Sequence, residues 1–258
     1  MQSSPWLLRA GADRGARVRL FCFPYAGSGG SQYMPWARQL GAGVEVCAVQ
    51  LPGRENRLRE TPHTRFPALI DETFAALRPH LDMPFVLFGH SMGALVAFEL
   101  ARRLRIEGAP MPARLLISGH RAPQLPNRRP PLAHLSDAAL IAEVRARYDG
   151  VSEEVLRHPD LMALLLPCLR ADLALVEGYV CRPDEPLSCP ISAYGGEDDP
   201  IVSEAELGAW RTQTSAEFTV RRFAGTHFFI RSARAELLAA VSSELAPLMT
   251  TAGVEVPR

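Results

Sequence analysis

The chain has 258 residues, 28 basic and 28 acidic side chains, and 47% hydrophobic residues. This length can bury a large core as one α/β domain or as two small ones. The net charge of zero at pH 7 gives no strong field to attract nucleic acid or an anionic membrane, so we expect neither as a partner. The composition also excludes disordered, collagen-like and coiled-coil proteins.

The cysteines and the N-terminal residues bear on the protein's location. The five cysteines are an odd number at scattered spacings, without a Cys-x-x-Cys pair. This pattern predicts buried free thiols in a reducing compartment, not a disulfide framework or a zinc site. The N-terminus lacks the apolar stretch of a signal peptide, and the longest apolar run, residues 161–166, is far too short to span a bilayer. The sequence therefore predicts a cytoplasmic protein.

Short apolar runs alternate with helical patterns along the chain. The runs are rich in Val, Ile, Leu and Phe and occupy residues 18–23, 44–51, 85–88, 114–118, 191–194 and 218–223. Nearly continuous apolar runs suit strands covered on both faces, as in a parallel sheet. Helix-forming composition occupies residues 66–81, 94–107, 204–214 and 233–249. The alternation predicts a doubly wound α/β fold with helices on both faces of the sheet.

One segment, residues 121–190, interrupts this alternation because it contains no clear strand. It opens with a loop rich in Pro and Arg and then has a helical pattern, and residues 161–176 are more apolar than one buried face requires. Two interpretations are open: an ordinary pair of core helices, or a helical lid whose second apolar face lines a substrate pocket. We favour the lid because the segment separates two strands late in the sheet.

The strongest local motif is a Gly-x-Ser-x-Gly pentapeptide formed by Gly89, Ser91 and Gly93. An apolar strand precedes it and a helical pattern follows, which is the context of a nucleophile elbow. The tight turn leaves no room for side chains at the flanking positions, hence the two glycines. The geometry raises the serine hydroxyl above the sheet, beside the backbone N–H groups of the helix start. Ser91 is therefore the predicted nucleophile.

A serine hydroxyl needs a base, and the base needs an orienting carboxylate, in the chain order Ser, acid, His. His227 follows the last apolar run, near the C-terminus, where the base of this architecture belongs. His120 follows a strand too early in the chain to be the base. His134 and His158 stand among polar residues of the segment 121–190, where we expect them to face solvent. We therefore predict His227 as the catalytic base.

The acid is expected in the loop after the strand at 191–194. Glu197, Asp198 and Asp199 follow that strand, and Pro200 after Asp199 fixes the next turn. We choose Asp199 and keep Asp198 as the alternative. The run lacks the alternating oxygen ligands of a metal site, so no metal is predicted here.

The oxyanion hole needs two N–H donors directed at the developing negative charge. The Met92 amide directly follows the nucleophile. The second donor is expected from the loop after the strand at 18–23, where we select Ala26 and keep Tyr25 as the alternative. This loop does not fit Gly-x-Gly-x-x-Gly, since Gln32 stands where the third Gly belongs, and a chain without lysine has no Walker motif.

Six motifs together resemble the type II thioesterases of polyketide and nonribosomal peptide assembly lines. They are Phe23-Pro-Tyr-Ala-Gly, Gln50-Leu-Pro-Gly-Arg-Glu, Gly89-His-Ser-Met-Gly-Ala, Ser118-Gly-His-Arg-Ala-Pro, Leu166-Pro-Cys-Leu-Arg-Ala-Asp172 and Gly225-Thr-His-Phe-Phe. The resemblance covers residues 17–248. It departs from the family at Tyr25, where many members have His, and at His120, where Arg is common.

The resemblance implies an α/β-hydrolase fold with a helical lid at about 121–190 in a single domain spanning 1–258. It implies hydrolysis of aberrant or stalled acyl groups from the phosphopantetheine arms of acyl or peptidyl carrier proteins. Ser91, His227 and Asp199 match the family's nucleophile, base and acid. No cofactor is needed, because the phosphopantetheine belongs to the substrate, and we expect a monomer.

Two other functions compete with this prediction. A general hydrolase of the same fold would act on free esters or small thioesters, and a preference for carrier-bound substrate separates the two. A carrier-binding module that had lost catalysis would be free to lose part of the Ser-Asp-His set, which is intact. For Arg121, Arg128 and Arg129, contact with an acidic carrier protein and plain solvation are both consistent with the sequence, so none is assigned to a site.

Overall fold

The protein is built on one seven-stranded sheet. The computed structural model describes residues 4–11, 15–148 and 158–251. The strand order is β1-β3-β2-β4-β5-β6-β7; β1 runs antiparallel to β3, and every other neighbouring pair is parallel. The strands are β1 (Leu7–Ala10), β2 (Val18–Phe23), β3 (Val44–Val49), β4 (Phe85–His90), β5 (Arg114–Ser118), β6 (Ile191–Gly196) and β7 (Phe218–Phe223).

Helices cover both faces of this sheet. Their bounds are α1 (Trp36–Leu40), α2 (Phe66–Leu77), α3 (Met92–Ile106), α4 (Asp137–Tyr148), α5 (Pro159–Glu177), α6 (Glu204–Gly208), α7 (Phe229–Ser232) and α8 (Arg234–Thr251). The buried side chains of α2 and α3 belong to one core cluster, and those of α1, α7 and α8 belong to a second cluster. The strands β2 to β6 are buried almost throughout because both faces are covered.

The predicted strands and helices are present, with differences at their ends. The helix expected over 66–81 ends at Leu77 and continues as a 3₁₀ turn, Arg78–His80, in which Pro79 lacks the N–H that an α-helix needs. The helix expected over 204–214 becomes α6 followed by the 3₁₀ turn Ala209–Gln213. Strand β1 was not predicted, because this four-residue strand is mostly half-buried at the sheet edge and has no continuous apolar pattern.

The segment between β5 and β6 contains no strand among its described residues, as the sequence predicts. It carries α4 and α5 and has its own apolar cluster, distinct from the two clusters of the sheet: Leu132, Leu140, Val144, Met162, Leu166 and Leu173. This segment lies over the carboxyl ends of the strands, since residues of α4 and α5 line cavities together with Ser91.

Three further observations concern the described residues alone. All five cysteines are free thiols, and four of them are buried. No helix within residues 4–11, 15–148 and 158–251 has the length and apolar character needed to cross a membrane. The same residues hold no group of three His, Cys, Asp or Glu side chains arranged to bind a metal ion.

Candidate active site

Ser91 lies in the sharp turn between β4 and α3. Its backbone has φ 53° and ψ −117°, a conformation that L-residues rarely adopt. The turn is held by a hydrogen bond from the Ser91 N–H to the Ser118 carbonyl of the neighbouring strand, 2.7 Å long. Such strain persists only where the surrounding structure enforces it. The predicted elbow is thus present, with a partly exposed serine at its tip.

The two glycines of the motif are required by close backbone packing. A Cβ atom on Gly89 would lie 2.0 Å from the Gly93 carbonyl oxygen, and one on Gly93 would lie 2.2 Å from the Phe23 carbonyl oxygen. Neither neighbour can move aside, because both are backbone atoms. The start of α3 therefore packs directly against the end of β2, and this contact brings Ser91 next to the loop that follows β2.

Asp199 and His227 form a buried pair beside Ser91. The His227 Nδ1 atom lies 2.9 Å from Asp199 Oδ2, and the two side chains are 2% and 0% exposed. The second oxygen of Asp199 accepts the Ile201 N–H at 2.7 Å. A carboxylate acceptor fixes the imidazole as the Nδ1–H tautomer and leaves Nε2 with its lone pair. Nε2 is buried and has no hydrogen-bond partner among the described residues, so it is available to a substrate or to Ser91.

Asp198, the alternative acid, is exposed and has no side-chain contact with His227 in the described structure. Its backbone N–H instead binds the Gly225 carbonyl at 3.0 Å. That bond ties the loop after β6 to the loop that carries His227. The geometry therefore favours Asp199 over Asp198 as the partner of His227.

A second histidine lies beneath the first. His90 is fully buried, its Nδ1 lies 2.8 Å from Ser118 Oγ, and its ring centroid is 5.3 Å from that of His227. Burial, followed by the charges of His227 and Arg231, holds the pKa of His90 well below its usual value. The neutral form of His90 is therefore favoured, and its ring packs against that of His227. Sequence reasoning did not assign it a role.

The loop after β2 carries the predicted oxyanion donor. Met92 is the first residue of α3, where backbone N–H groups have no acceptor within the helix. Ala26 is half-buried, and both residues line the cavity that contains Ser91. Tyr25, whose backbone amide is the alternative donor, lines the same cavity, with its hydroxyl bound to Arg231 and its ring against His90. The structure thus brings the two predicted oxyanion residues to one cavity with the predicted nucleophile.

A buried ion pair that sequence reasoning missed holds this loop in place. Asp172 of α5 is 0% exposed and forms a bidentate pair with Arg54, with Nη1 to Oδ2 at 2.9 Å and Nη2 to Oδ1 at 2.8 Å. Asp172 Oδ2 also accepts the Gly27 N–H at 2.8 Å, and Arg54 Nη1 donates to the Ser28 carbonyl at 3.0 Å. The pair therefore links α5 to the residue directly after Ala26.

One signal for this pair was present in the sequence. Arg54 and Asp172 both lie in motifs that carry the family resemblance, and Asp172 is the one acidic residue in the mostly apolar run 161–176, two positions after Arg170. A buried charge requires a partner, but the sequence does not say which arginine supplies it.

The larger cavity at Ser91 is apolar. It has a volume of about 260 Å³ and extends from Ser91 and His227 under α4 and α5. Its walls are mainly aliphatic side chains of these helices: Val144, Met162, Leu165, Leu166, Leu169, Leu173 and Val176. This second apolar face of α5 is what the lid interpretation predicts. An aliphatic acyl group would be desolvated favourably there.

A smaller cavity, of about 50 Å³, also reaches Ser91 and His227. It runs between α4, α5 and the loop after β5, and its lining includes Arg121, Arg129 and Arg147. His120 also lines it, with Nδ1 2.6 Å from the Arg121 carbonyl oxygen, and burial lowers the pKa of His120 to about 3. His134 and His158, which the sequence analysis set aside, are exposed.

Comparisons with known proteins agree with this geometry. The thioesterase domain family model matches residues 18–245. The gramicidin S biosynthesis protein GrsT of Aneurinibacillus migulanus is 40% identical over 244 residues, which cover 95% of each chain.

Two solved structures are also similar. RedJ, a thioesterase from the prodiginine pathway of Streptomyces coelicolor, is 41% identical with a TM-score of 0.84, and the match covers 89% of this chain and 87% of RedJ. The type II thioesterase BorB of the borrelidin cluster is 38% identical with a TM-score of 0.86, over 95% of this chain and 99% of BorB. These matches confirm the predicted α/β-hydrolase fold and thioesterase activity, and the chain belongs to the thioesterase family, among the type II thioesterases.

Proposed function

We propose that this enzyme is an editing thioesterase. It hydrolyses aberrant or stalled acyl groups from the phosphopantetheine arm of acyl or peptidyl carrier proteins in polyketide or nonribosomal peptide biosynthesis. The observation that carries the mechanism is the buried Asp199–His227 hydrogen bond of 2.9 Å beside the strained Ser91. The names of the similar proteins, which belong to gramicidin S, prodiginine and borrelidin pathways, support the biosynthetic context.

Acylation is the first half of the proposed cycle. His227 Nε2 removes the Ser91 proton while Oγ attacks the thioester carbonyl carbon. The Met92 and Ala26 amides stabilise the oxyanion of the tetrahedral intermediate. Collapse of the intermediate breaks the carbon–sulfur bond, and the protonated His227 returns its proton to the departing pantetheine thiolate. Asp199 holds the imidazole in the Nδ1–H tautomer and stabilises its cationic form.

Deacylation repeats the same steps with water as the nucleophile. His227 takes a proton from the water, hydroxide adds to the acyl carbon, and the same amides stabilise the second oxyanion. When the intermediate collapses, Ser91 Oγ leaves and takes the proton from His227. The products are a free carboxylic acid and the carrier protein with its thiol restored. No cofactor takes part in either half.

The domain organisation is part of the proposal. We treat residues 1–258 as one α/β-hydrolase domain in which residues 121–190 form the lid. The aliphatic lining of the larger cavity favours acyl groups that are apolar. We further propose a cytoplasmic monomer that binds neither nucleic acid nor membranes, in agreement with its net charge of zero.

Hydrolysis of propionyl groups loaded on a phosphopantetheinylated carrier protein tests this function. Propionyl-N-acetylcysteamine serves as the small-substrate comparison and Ser91→Ala as the blank. We expect release from the carrier that is faster than release from the small thiol, and a loss of at least about 10⁴-fold in Ser91→Ala. Equal kcat/KM on both substrates would make the protein a general thioesterase. A Ser91→Ala rate equal to wild type would remove Ser91 from the mechanism.

A further inference from the structure

Two cavities of different character meet at Ser91. Five residues line both of them: Ser91, Tyr148, Leu173, Val176 and His227. The larger cavity is lined mainly by aliphatic side chains, with Arg231 also in its wall, whereas the lining of the smaller one includes Arg121, Arg129 and Arg147 together with Glu177. An acyl-pantetheine thioester also has two limbs that diverge from the reacting carbon, so the site offers one cavity for each limb.

Two arginines of the small cavity lack a carboxylate partner. Among the described residues, Arg121 makes one side-chain hydrogen bond, from Nε to the Leu125 carbonyl at 3.3 Å. Arg129 donates to the carbonyls of Ile201 and Pro200, at 2.8 Å and 2.6 Å. Neither forms an ion pair within the described part of the chain. Both guanidinium groups therefore keep N–H donors at the cavity that no carboxylate of the described residues binds.

Neither of the other two charged residues in the lining, Arg147 and Glu177, forms an ion pair with Arg121 or Arg129 within the described residues. Arg147 is already paired with Glu143 at 2.9 Å. Glu177 is occupied by the backbone N–H groups of Leu132 and Ala133, at 2.5 Å and 3.2 Å.

Glu206 is the remaining carboxylate that acts on Arg121. Its Oε2 atom accepts hydrogen bonds from the Ser203 backbone N–H and hydroxyl in the cap of α6, at 2.9 Å and 2.8 Å. Burial and the nearby Arg129 outweigh Glu206 and lower the pKa of Arg121. The positive charge at this position is therefore costly in the free protein, and a bound anion would relieve the cost.

We propose that Arg121 and Arg129 bind the phosphate of the phosphopantetheine arm, with the arm in the small cavity and the acyl group in the large one. This inference rests on the proposed function, since only a phosphopantetheine substrate carries that phosphate. Guanidinium groups match phosphate oxygens in geometry and charge. Arg121 and Arg129 line the small cavity together with Ser91, so an arm that leaves the reacting carbon on that side passes both guanidinium groups, whereas the branched aliphatic walls of the larger cavity suit the acyl chain.

Two small substrates that differ only in the phosphate test this site: propionyl-4′-phosphopantetheine and propionyl-pantetheine. We expect the wild-type enzyme to have the higher kcat/KM on the phosphorylated compound. Arg121→Gln and Arg129→Gln should each reduce this preference about tenfold, which corresponds to about 1.4 kcal/mol. Arg128→Gln is the matched control, because Arg128 is an exposed neighbour that lines neither cavity.

Several outcomes would overturn the proposal while leaving the thioesterase function intact. One is a wild-type enzyme with equal kcat/KM on both compounds. Another is a preference lost in Arg231→Gln and kept in Arg121→Gln, which would move the phosphate to the mouth of the apolar cavity. A third is an Arg121-dependent preference for malonyl-pantetheine over propionyl-pantetheine, which would assign the site to an acyl carboxylate.

A measurement on the wild-type enzyme tests the proposal even if the arginine variants fail to fold. Free 4′-phosphopantetheine should inhibit it more strongly than pantetheine, and equal inhibition would contradict the proposal. Failure of the proposed function has a different signature, because no Ser91-dependent release would then occur from either substrate.

Discussion

The two walls of the active site are built differently. On the sheet side, Ser91, Asp199 and His227 follow strands, and contacts as tight as that of Gly93 with the Phe23 backbone fix their positions. On the lid side, α4 buries only Leu140 and Val144, in a small cluster separate from the two sheet cores. The predicted catalytic groups thus lie on the tightly packed frame of the sheet, and α4 packs in the separate cluster, whereas α5 is joined to the sheet side by Leu175 in the core and by the Asp172–Arg54 pair.

The largest effect is expected on the sheet side, from Asp199→Asn. Asn can present an amide N–H to His227 and favour the wrong imidazole tautomer, so we expect kcat to fall about a thousandfold to ten-thousandfold. Steady-state hydrolysis of acyl-carrier protein measures the loss. Asp198→Asn is the matched control with an exposed side chain, and a comparable loss there would transfer the acid role to Asp198.

The link between the two sides is tested by Asp172→Asn. Removing one charge of a buried pair leaves Arg54 uncompensated, which costs about 3–5 kcal/mol of unfolding free energy. Because Asp172 also holds the Gly27 N–H, the Ala26 amide loses its position, and we expect kcat to fall about tenfold with little change in KM. Urea denaturation and steady-state kinetics give the two readouts.

Asp137→Asn provides the control for this link, because its ion pair with Arg170 is at the surface, with Asp137 67% exposed. The loss of this surface ion pair should lower the free energy of unfolding by less than about 1 kcal/mol. A destabilised Asp172→Asn with an unchanged kcat would limit the pair to a purely structural role.

Because the lid has its own apolar cluster, the same Leu→Ala truncation should change the free energy of unfolding differently in the lid and in the sheet. Leu116 lies in β5 and Leu140 in α4, and both are 0% exposed. Leu116→Ala should lower the global free energy of unfolding by about 2–5 kcal/mol. Leu140→Ala should affect local opening of the lid more than global unfolding, visible as faster amide exchange in α4 and α5. Equal global losses would mean that lid and sheet unfold as one unit.

Acid sensitivity of the sheet side depends on two of its buried histidines, His90 and His120. Burial lowers the pKa of His120 to about 3 and that of His90 well below its usual value. Between about pH 6.5, where the unfolded histidines titrate, and about pH 3, where folded His120 does, the unfolded chain binds protons that the folded chain does not. The unfolding free energy therefore falls as the pH drops, by about 1.4 kcal/mol per pH unit for each histidine.

Urea denaturation at pH 7, 6 and 5 measures this slope. His120→Gln should make it shallower, whereas His134→Gln, at an exposed position, should leave it unchanged. A slope for His120→Gln equal to that of wild type would show that His120 is not the group responsible.

The sequence by itself determined the α/β framework and the elbow, because these depend on local patterns. Continuous apolar runs require strands covered on both faces, and the spacing of Gly89, Ser91 and Gly93 requires the tight turn that the structure has. Chain order pointed to His227 and to a carboxylate after β6 because this fold orders its strand ends along one edge of the sheet.

Only the tertiary structure decided which of two adjacent aspartates pairs with His227, and which residues far apart in the chain pair with each other. Asp198 and Asp199 are the same residue type at adjacent positions, so the sequence does not separate them. In the structure, the loop after β6 directs the Asp199 side chain toward His227. Arg54 and Asp172 are 118 residues apart, so no local pattern could pair them. The two cavities likewise depend on how α4 and α5 pack over the sheet, because a cavity is formed by side chains that are close in space and not in sequence.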